Sequence, residues 1–132
     1  MSSTLKAFNN QLLTFTNVMS DRFPDVRELR LAVTGLTTLN SINPKKPIEL
    51  FLRFTYKYRD LVMNKDEDKL WNVDFNEDLK KENLEDDNAN QVIITLRNHW
   101  KELNNEEKEN IWKYFQVLMK LTDKYLGEVI NK

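Results

Sequence analysis

The stretch "NNEEKENIWKYFQVLMKLTDKYLGEVI", residues 104–130, holds the longest amphipathic pattern in the chain. Its apolar side chains recur every three or four residues, which places them on one face of an α-helix; they are Ile111, Phe115, Leu118, Leu121, Tyr125 and Val129. Asn104 is followed three residues later by Glu107, a spacing close to that of a capping box at a helix start. The sequence therefore predicts one long helix from about 105 to 130 that forms the spine of the fold.

Two helices are predicted before residue 40. Apolar side chains repeat at helical spacing across 4–23, and serines precede this segment and are available to cap it. Phe23-Pro24 ends this helix because proline pushes the residue before it out of the helical conformation. Asp25 then stands at the start of a second helix.

Two more helices follow a polar linker, "NSINPKKP" (40–47). Pro47 fits the first turn of a third helix, where a missing N–H is tolerated, and the apolar spacing continues to Val62. A fourth helix at about 89–103 carries Val92, Ile93, Leu96, Trp100 and Leu103. These elements predict an all-α fold, an antiparallel bundle of about five helices with a long acidic connection between helices three and four.

The composition is typical of one folded helical domain. A chain of 132 residues can bury a real core, and its hydrophobic content is 40%. Two glycines and three prolines are too few for the many turns of a β-sandwich. We expect a single domain over 1–132 with a three-helix half (1–63), an acidic connection (64–88) and a helical hairpin (89–132).

The residue types that the chain lacks exclude several chemistries. Without cysteine there are no disulfides, thiolate nucleophiles or cysteine–zinc sites. His99 is the only histidine, and no partner lies at the spacing of a zinc or catalytic site. Neither a glycine-rich phosphate loop nor a G-x-S-x-G motif occurs. The sequence predicts a protein that is not an enzyme and carries no cofactor.

No segment of the sequence is typical of a membrane protein. No apolar stretch approaches the roughly 18 residues that span a bilayer. The start of the chain, "MSSTLKAFNN", lacks the basic region and apolar run of a signal peptide. We expect a soluble, intracellular protein without a membrane partner.

Charge is unevenly distributed along the chain. Residues 22–59 carry eight basic side chains against three acidic ones, whereas 64–90 carry four lysines against ten acids. Such polarity steers charged partners. The candidate partner-binding cations are Arg27, Arg30, Lys45, Lys46, Arg53 and Lys57. They favour a protein partner, including a second copy of the chain; nucleic acid is the alternative, which a sequence pI of about 5.9 disfavours.

The stretch "NKDEDKLW" (64–71) concentrates acids where the third helix stops. An EF-hand needs glycine at position 6 and a bidentate glutamate at position 12, but counting from Asn64 places Lys69 and Phe75 there. That mismatch excludes an EF-hand. A looser cation site built from Asp66, Asp68 and Asp74 is the alternative to a hydrated break between helices, which we favour.

Trp71 closes this stretch and belongs to the candidate partner-binding residues. One interpretation is that its indole pins the following chain to the bundle. The other is that it faces a partner, since exposed tryptophans are enriched among interaction hot spots.

Three segments resemble small all-helical proteins of the nucleocytoplasmic large DNA viruses, the giant and algal viruses: "LKAFNNQLLTF" (5–15), "LNSINPKKPIELFLRF" (39–54) and "LRNHWKELNNEEKENIWKYFQVLMKL" (96–121). Sixteen asparagines, with abundant lysine and isoleucine, fit an AT-rich genome. The resemblance implies no catalytic residue. It implies a viral protein, virion-associated or acting in the host cytoplasm, and favours protein–protein contact with a viral or host partner.

Overall fold

A computed structural model describes residues 2–72 and 88–130, with the backbone alone for 88–93. All regular structure in these residues is helical, so the all-α prediction is confirmed. The α-helices of the described residues are α1 (Ser3–Arg22), α2 (Arg27–Ile42), α3 (Lys46–Phe54), α4 (Arg59–Met63), α5 (Glu67–Trp71), α6 (Asn88–His99) and α7 (Asn105–Ile130). Two 3₁₀ turns, Tyr56–Tyr58 and Trp100–Glu102, precede α4 and follow α6.

The longest helix, α7, begins with a complete capping box. The backbone N–H of Glu107 donates to Asn104 Oδ1 (2.8 Å), and the backbone N–H of Asn104 donates to Glu107 Oε1 (3.0 Å). These bonds satisfy N–H groups that a helix start otherwise leaves without partners. The backbone of Asn104, and then the side chain of Arg22, hold the pKa of the Glu107 carboxyl below its ordinary value by hydrogen bonding. The predicted helix over 105–130 is confirmed.

The ends of α1 also follow local sequence signals. Ser2 caps its start, because the Ser2 Oγ accepts a hydrogen bond from the Leu5 backbone N–H (3.0 Å). The helix ends at Arg22, just before Phe23-Pro24, as predicted. The start of α2 differs from the prediction: its cap position is Val26, which makes no side-chain cap bond, so Asp25 does not cap this helix.

Helices α1 and α7 pack along each other in opposite directions. The Thr4 hydroxyl, at the start of α1, donates to the Glu128 carboxylate near the end of α7. Arg22, the last residue of α1, pairs with Glu107 in the first turn of α7. Since early residues of one helix meet late residues of the other at both ends, the pair is antiparallel.

Helix α2 returns along α1 and is fixed to it by a buried amide. The Asn9 side chain is 5% exposed and donates to Asn40 Oδ1 (2.7 Å) and to the Pro44 carbonyl (2.9 Å). An early residue of α1 thus meets the end of α2, so these helices are antiparallel too. Helix α6 packs mainly against α2, and the large helices contact one another in the order α6, α2, α1, α7.

The core is a continuous cluster of buried apolar side chains that every large helix supplies. Aromatic rings join the helices at several levels. Phe15 of α1 lies 5.2 Å from Phe115 of α7 between ring centroids. Phe8 of α1 meets Phe51 of α3 edge to face at 5.2 Å, a favoured geometry for aromatic pairs. The second contact packs α3 against the first half of α1.

The predicted third helix is divided in the structure. It ends as α3 at Phe54, passes through the 3₁₀ turn and resumes as α4. The two parts pack on different neighbours, because α3 lies against α1 and α2 whereas α4 lies against α7. An unbroken apolar spacing predicts which side chains are buried. It does not indicate that the helix axis changes direction partway along. This division, together with α5, gives seven described helices where about five were predicted.

The stretch 64–71 stops one helix and starts the next. Lys65 takes the left-handed conformation (φ 53°) after α4. Its N–H donates to the Val62 carbonyl (3.1 Å), and the Asp66 N–H donates to the Leu61 carbonyl (2.8 Å). These two bonds form a Schellman motif, which commonly ends helices. The predicted helix stop is confirmed, and α5 occupies part of the predicted connection; residues 73–87 lie outside the described residues.

We expect the Asn104→Ala variant to lower the free energy of unfolding by about 1 kcal/mol, because α7 loses its N-cap acceptor. Urea unfolding followed by circular dichroism measures this loss. Asn110→Ala is the matched control, since Asn110 is exposed inside the same helix. An equal effect of both substitutions would contradict the role of the capping box.

We expect Lys65→Gly to raise the free energy of unfolding by about 1 kcal/mol, because glycine adopts the left-handed conformation without the steric strain of a β-carbon. The gain is partly offset by loss of the exposed Lys65–Glu109 ion pair (2.7 Å). Lys69→Gly, inside α5, is the control and should destabilise. A destabilised Lys65→Gly protein would show that the ion pair outweighs the backbone strain.

Candidate protein-interaction site

The predicted partner-binding cations lie in two groups at opposite ends of α2. Arg27 and Arg30 are exposed in its first turns, and the Arg30 guanidinium donates to the Pro24 carbonyl. Lys45 and Lys46 follow its last turn. A helix of 16 residues is about 24 Å long at its usual rise per residue. The structure therefore does not bring Arg27 and Arg30 together with the lysine pair.

Arg53 and Lys57 lie near the division between α3 and α4. The Arg53 guanidinium lies 5.9 Å from the centroid of the Phe54 ring, and Lys57 Nζ lies 5.3 Å from that of Tyr58. Contacts of this kind hold the charged head over an aromatic face. Both side chains thus take part in local packing as well as presenting charge.

Trp71 is half-buried and packs against the core. Its ring centroid lies 5.2 Å from that of Trp100, which in turn lies 5.4 Å from Trp112. The Trp71 Nε1 atom is buried, and it has no hydrogen-bond partner among the described residues. These contacts agree with the interpretation that Trp71 anchors the chain after α5.

Two of the three acids of 64–71 have structural roles. Asp66 caps α5 by accepting from the Lys69 backbone N–H (3.3 Å), and Glu67 Oε2 accepts from Trp100 Nε1 (3.1 Å). Among the described residues there is no group of three metal-ligating side chains. Asp74, the third member of the alternative cation site, lies outside the part of the chain that the structure describes.

His99 has a structural environment. Its Nδ1 lies 2.8 Å from the Thr95 carbonyl oxygen, one turn earlier in α6. The imidazole packs against the Phe23 ring with centroids 4.8 Å apart. The ring therefore joins α6 to the turn between α1 and α2.

A cleft of about 530 Å³ opens where α1 begins and α7 ends, beside the turn between α2 and α3. Its wall combines apolar and charged side chains, namely Leu5, Ile42, Pro44, Lys45, Tyr125, Glu128 and Val129, with Ser2 and Asn43. Ile42 is 76% exposed and Val129 is 49% exposed. We call this feature the α2–α3 cleft. Exposed apolar side chains around a concave surface are typical of protein-binding sites.

Lys45 supplies a positive charge at the α2–α3 cleft. It is exposed and makes no ion pair with any described residue. The buried amide of Asn9 fixes the neighbouring Pro44 carbonyl, so the turn that carries Lys45 is held against α1. Glu128, on the opposite wall, already accepts the hydroxyl of Thr4.

Sequence reasoning identified Lys45 but missed Ile42 and Val129. Both fall at helix ends, where the apolar spacing alone does not distinguish a core position from an exposed one. Ile42 lies in the predicted linker 40–47, and the signal that could have found it is an isoleucine in an otherwise polar linker. Val129 was placed on the core face of α7, but it is 49% exposed in the last turn of that helix.

One charged network lies next to the division of α3 and α4. Arg59 donates from Nε (3.0 Å) and Nη2 (2.9 Å) to the carboxylate of Asp123 on α7, and the Tyr56 hydroxyl donates to the same carboxylate. Burial raises the pKa of Asp123, but hydrogen bonds from Arg59 and Tyr56 outweigh it, so this pKa lies below its ordinary value. The hydrogen bond to Asp123 raises the pKa of Tyr56. The network fastens the 3₁₀ turn to α7.

Comparison with known proteins gives this chain no relatives: no family model, curated protein or solved structure matches it. None of the helices in the described ranges has both the length and the apolar character that crossing a bilayer requires.

We expect Asp123→Asn to lower the free energy of unfolding by about 1–2 kcal/mol at pH 7, because the charge-assisted hydrogen bonds from Arg59 and Tyr56 weaken. Partial exposure of the site to solvent keeps the loss this small. Since the folded pKa of Asp123 lies below its unfolded value, the stabilisation is present above the unfolded pKa. It is lost as the pH falls through the folded pKa. The difference between wild type and variant should therefore shrink below about pH 4.

Urea unfolding at pH 7 and at pH 3 measures this difference. Asp60→Asn is the control, because Asp60 also neighbours Arg59 (3.4 Å) but its side chain is 89% exposed. A gap between wild type and Asp123→Asn that is the same at both pH values would show that the charge of Asp123 is not involved.

Proposed function

We propose that this protein acts through protein–protein contact and that the α2–α3 cleft is its binding surface. The observation that carries the proposal is the exposure of Ile42 and Val129 around a concave surface that also holds Lys45. Burying two such apolar side chains under a partner releases a few kcal/mol, and Lys45 adds preference for an acidic residue nearby.

The setting that we propose is viral, either the virion or the cytoplasm of an infected host cell. Its support is the resemblance of three helical segments to small proteins of the nucleocytoplasmic large DNA viruses. We also propose that the whole chain is an antiparallel bundle of about five principal helices without enzymatic activity. The opposite directions of α1 with α2 and of α1 with α7 support that arrangement.

A nucleic-acid partner is the second candidate, and the adjacent Lys45 and Lys46 favour it. Neither lysine makes an ion pair with the described residues. Phosphate binding through them would weaken steeply with added salt. It would also be lost in Lys45→Glu but kept in the uncharged Ile42→Asn, whereas contact with a protein would be impaired by both changes.

To test the proposal, the purified protein carries a photo-cross-linking amino acid at position 42 and is exposed to infected cells. We expect one saturable cross-linked protein, competed by unmodified chain. In Val129→Asp the yield should fall at least about tenfold, which corresponds to 1.4 kcal/mol of binding. A fluorescently labelled duplex, titrated at low and high salt, tests nucleic acid in parallel.

The matched control places the same cross-linker at position 31. Leu31 is another exposed apolar residue of α2, at 43%, outside the cleft. Equal cross-linking from positions 31 and 42, or a yield unchanged by Val129→Asp, would overturn the assignment of the cleft.

A further inference from the structure

The two ends of the bundle carry opposite charge. Where α1 begins and α7 ends, residues 42–57 and 120–130 hold six basic side chains against three acidic ones. We call this the cationic end. Where α1 ends and α7 begins, residues 21–30 and 101–109 hold seven acidic side chains against five basic ones, among them Arg30, whose guanidinium donates to the Pro24 carbonyl. We call this the anionic end. The antiparallel packing of α1 and α7 separates the two ends by the length of α1, about 30 Å for its 20 residues.

The anionic end has a cleft of its own, of about 460 Å³. It is lined by Arg22, Phe23, Pro24, Asp25, Val26, His99 and Glu102. Asp25 and Glu102 are exposed, and neither makes an ion pair with a described residue. Phe23 and the half-buried Val26 give the cleft an apolar component. Arg22 of the same lining pairs with Glu107, which lies outside the lining, and donates to the Glu102 backbone carbonyl (3.1 Å). The cleft therefore combines an apolar surface and this paired arginine with two carboxylates that make no ion pair among the described residues.

The cationic end presents the complementary chemistry. Ile42 projects from the end of α2 at 76% exposure, and Lys45 follows three residues later on the same turn. An apolar side chain beside a cation matches an apolar cleft beside carboxylates, and none of these charged groups makes an ion pair among the described residues. Opposite charges at contacting surfaces also speed association and orient it.

We propose that the chain associates head to tail with a second copy of itself, the turn of Ile42 and Lys45 docking on the cleft of Asp25, Val26 and Glu102. The two surfaces are different and lie at opposite ends, so the contact is heterologous, and repeating it yields an open chain of copies rather than a closed dimer. The inference rests on the proposed function, since it names a second copy as the occupant of that surface. Salt weakens the association, because the Debye length is only about 8 Å at physiological ionic strength.

The test exchanges the charges of the two surfaces. One variant is Lys45→Glu, which makes both surfaces acidic. The other is Asp25→Lys with Glu102→Lys, which makes both basic. Light scattering coupled to size-exclusion chromatography at low salt should give a mass that rises with concentration for wild type and a monomer for each variant alone. An equimolar mixture should recover association to within about twofold of wild type, because each surface then meets its opposite.

Lys113→Glu is the control for net charge, because Lys113 is exposed in the middle of α7, away from both clefts. It should associate as wild type does. Circular dichroism of every variant verifies that it is folded, and the mixture supplies a gain of association that misfolding cannot produce.

Three outcomes would overturn the inference: a wild-type protein that is monomeric at every concentration at low salt, a mass that stops at a dimer, or a mixture that stays monomeric. Each leaves the proposed function standing if cross-linking from position 42 still captures a different protein. If cross-linking from position 42 captures only another copy of the chain while the mixture associates, the head-to-tail contact alone is supported.

Discussion

The fold depends on burying one face of α7. This helix runs for 26 residues, and its inward face carries aromatic and aliphatic side chains that are almost fully enclosed. Burial of one such side chain is worth about 1.5–3 kcal/mol, so no arrangement that leaves this face in water competes. Helix α1 covers one part of the face and α4 another, and each is fastened to α7 by polar contacts at defined levels. The direction of α7 therefore sets the direction of its neighbours.

The same constraint determines where charge collects. Turns between antiparallel helices all fall at one end of the bundle or the other, and the helix ends in this chain are rich in charged residues. The anionic end contains the capping-box glutamate, whose charge stabilises the start of α7 by binding free N–H groups and interacting favourably with the helix dipole. The cationic end contains the turn that the buried Asn9 amide positions. The separation of charge between the two ends of the bundle thus follows from residues that cap a helix or position a turn.

Local signals made much of the fold predictable. The Ser2 cap, the Phe23-Pro24 stop and the capping box at Asn104 act within one turn of chain, so a single sequence contains all the information. The division of the third helix is different, because it depends on α3 and α4 meeting separate neighbours. No sequence signal within one helical turn predicts this division. Residues 64–71 indicated a break but not the short helix α5, although its cap at Asp66 is a local signal too.

The candidate site was predictable only in its charged part. Lys45 is recognisable as a cation in the polar linker of the sequence. The exposure of Ile42, in contrast, depends on how several helices pack together at this end of the bundle. Grouping the basic residues of 22–59 assumed that closeness in sequence gives closeness in space. That assumption is wrong for α2, because the first and last turns of a 16-residue helix lie at opposite ends of the bundle. Two separated surfaces of different charge are the arrangement that directional association requires, whereas a single basic face would only attract polyanions without orienting them.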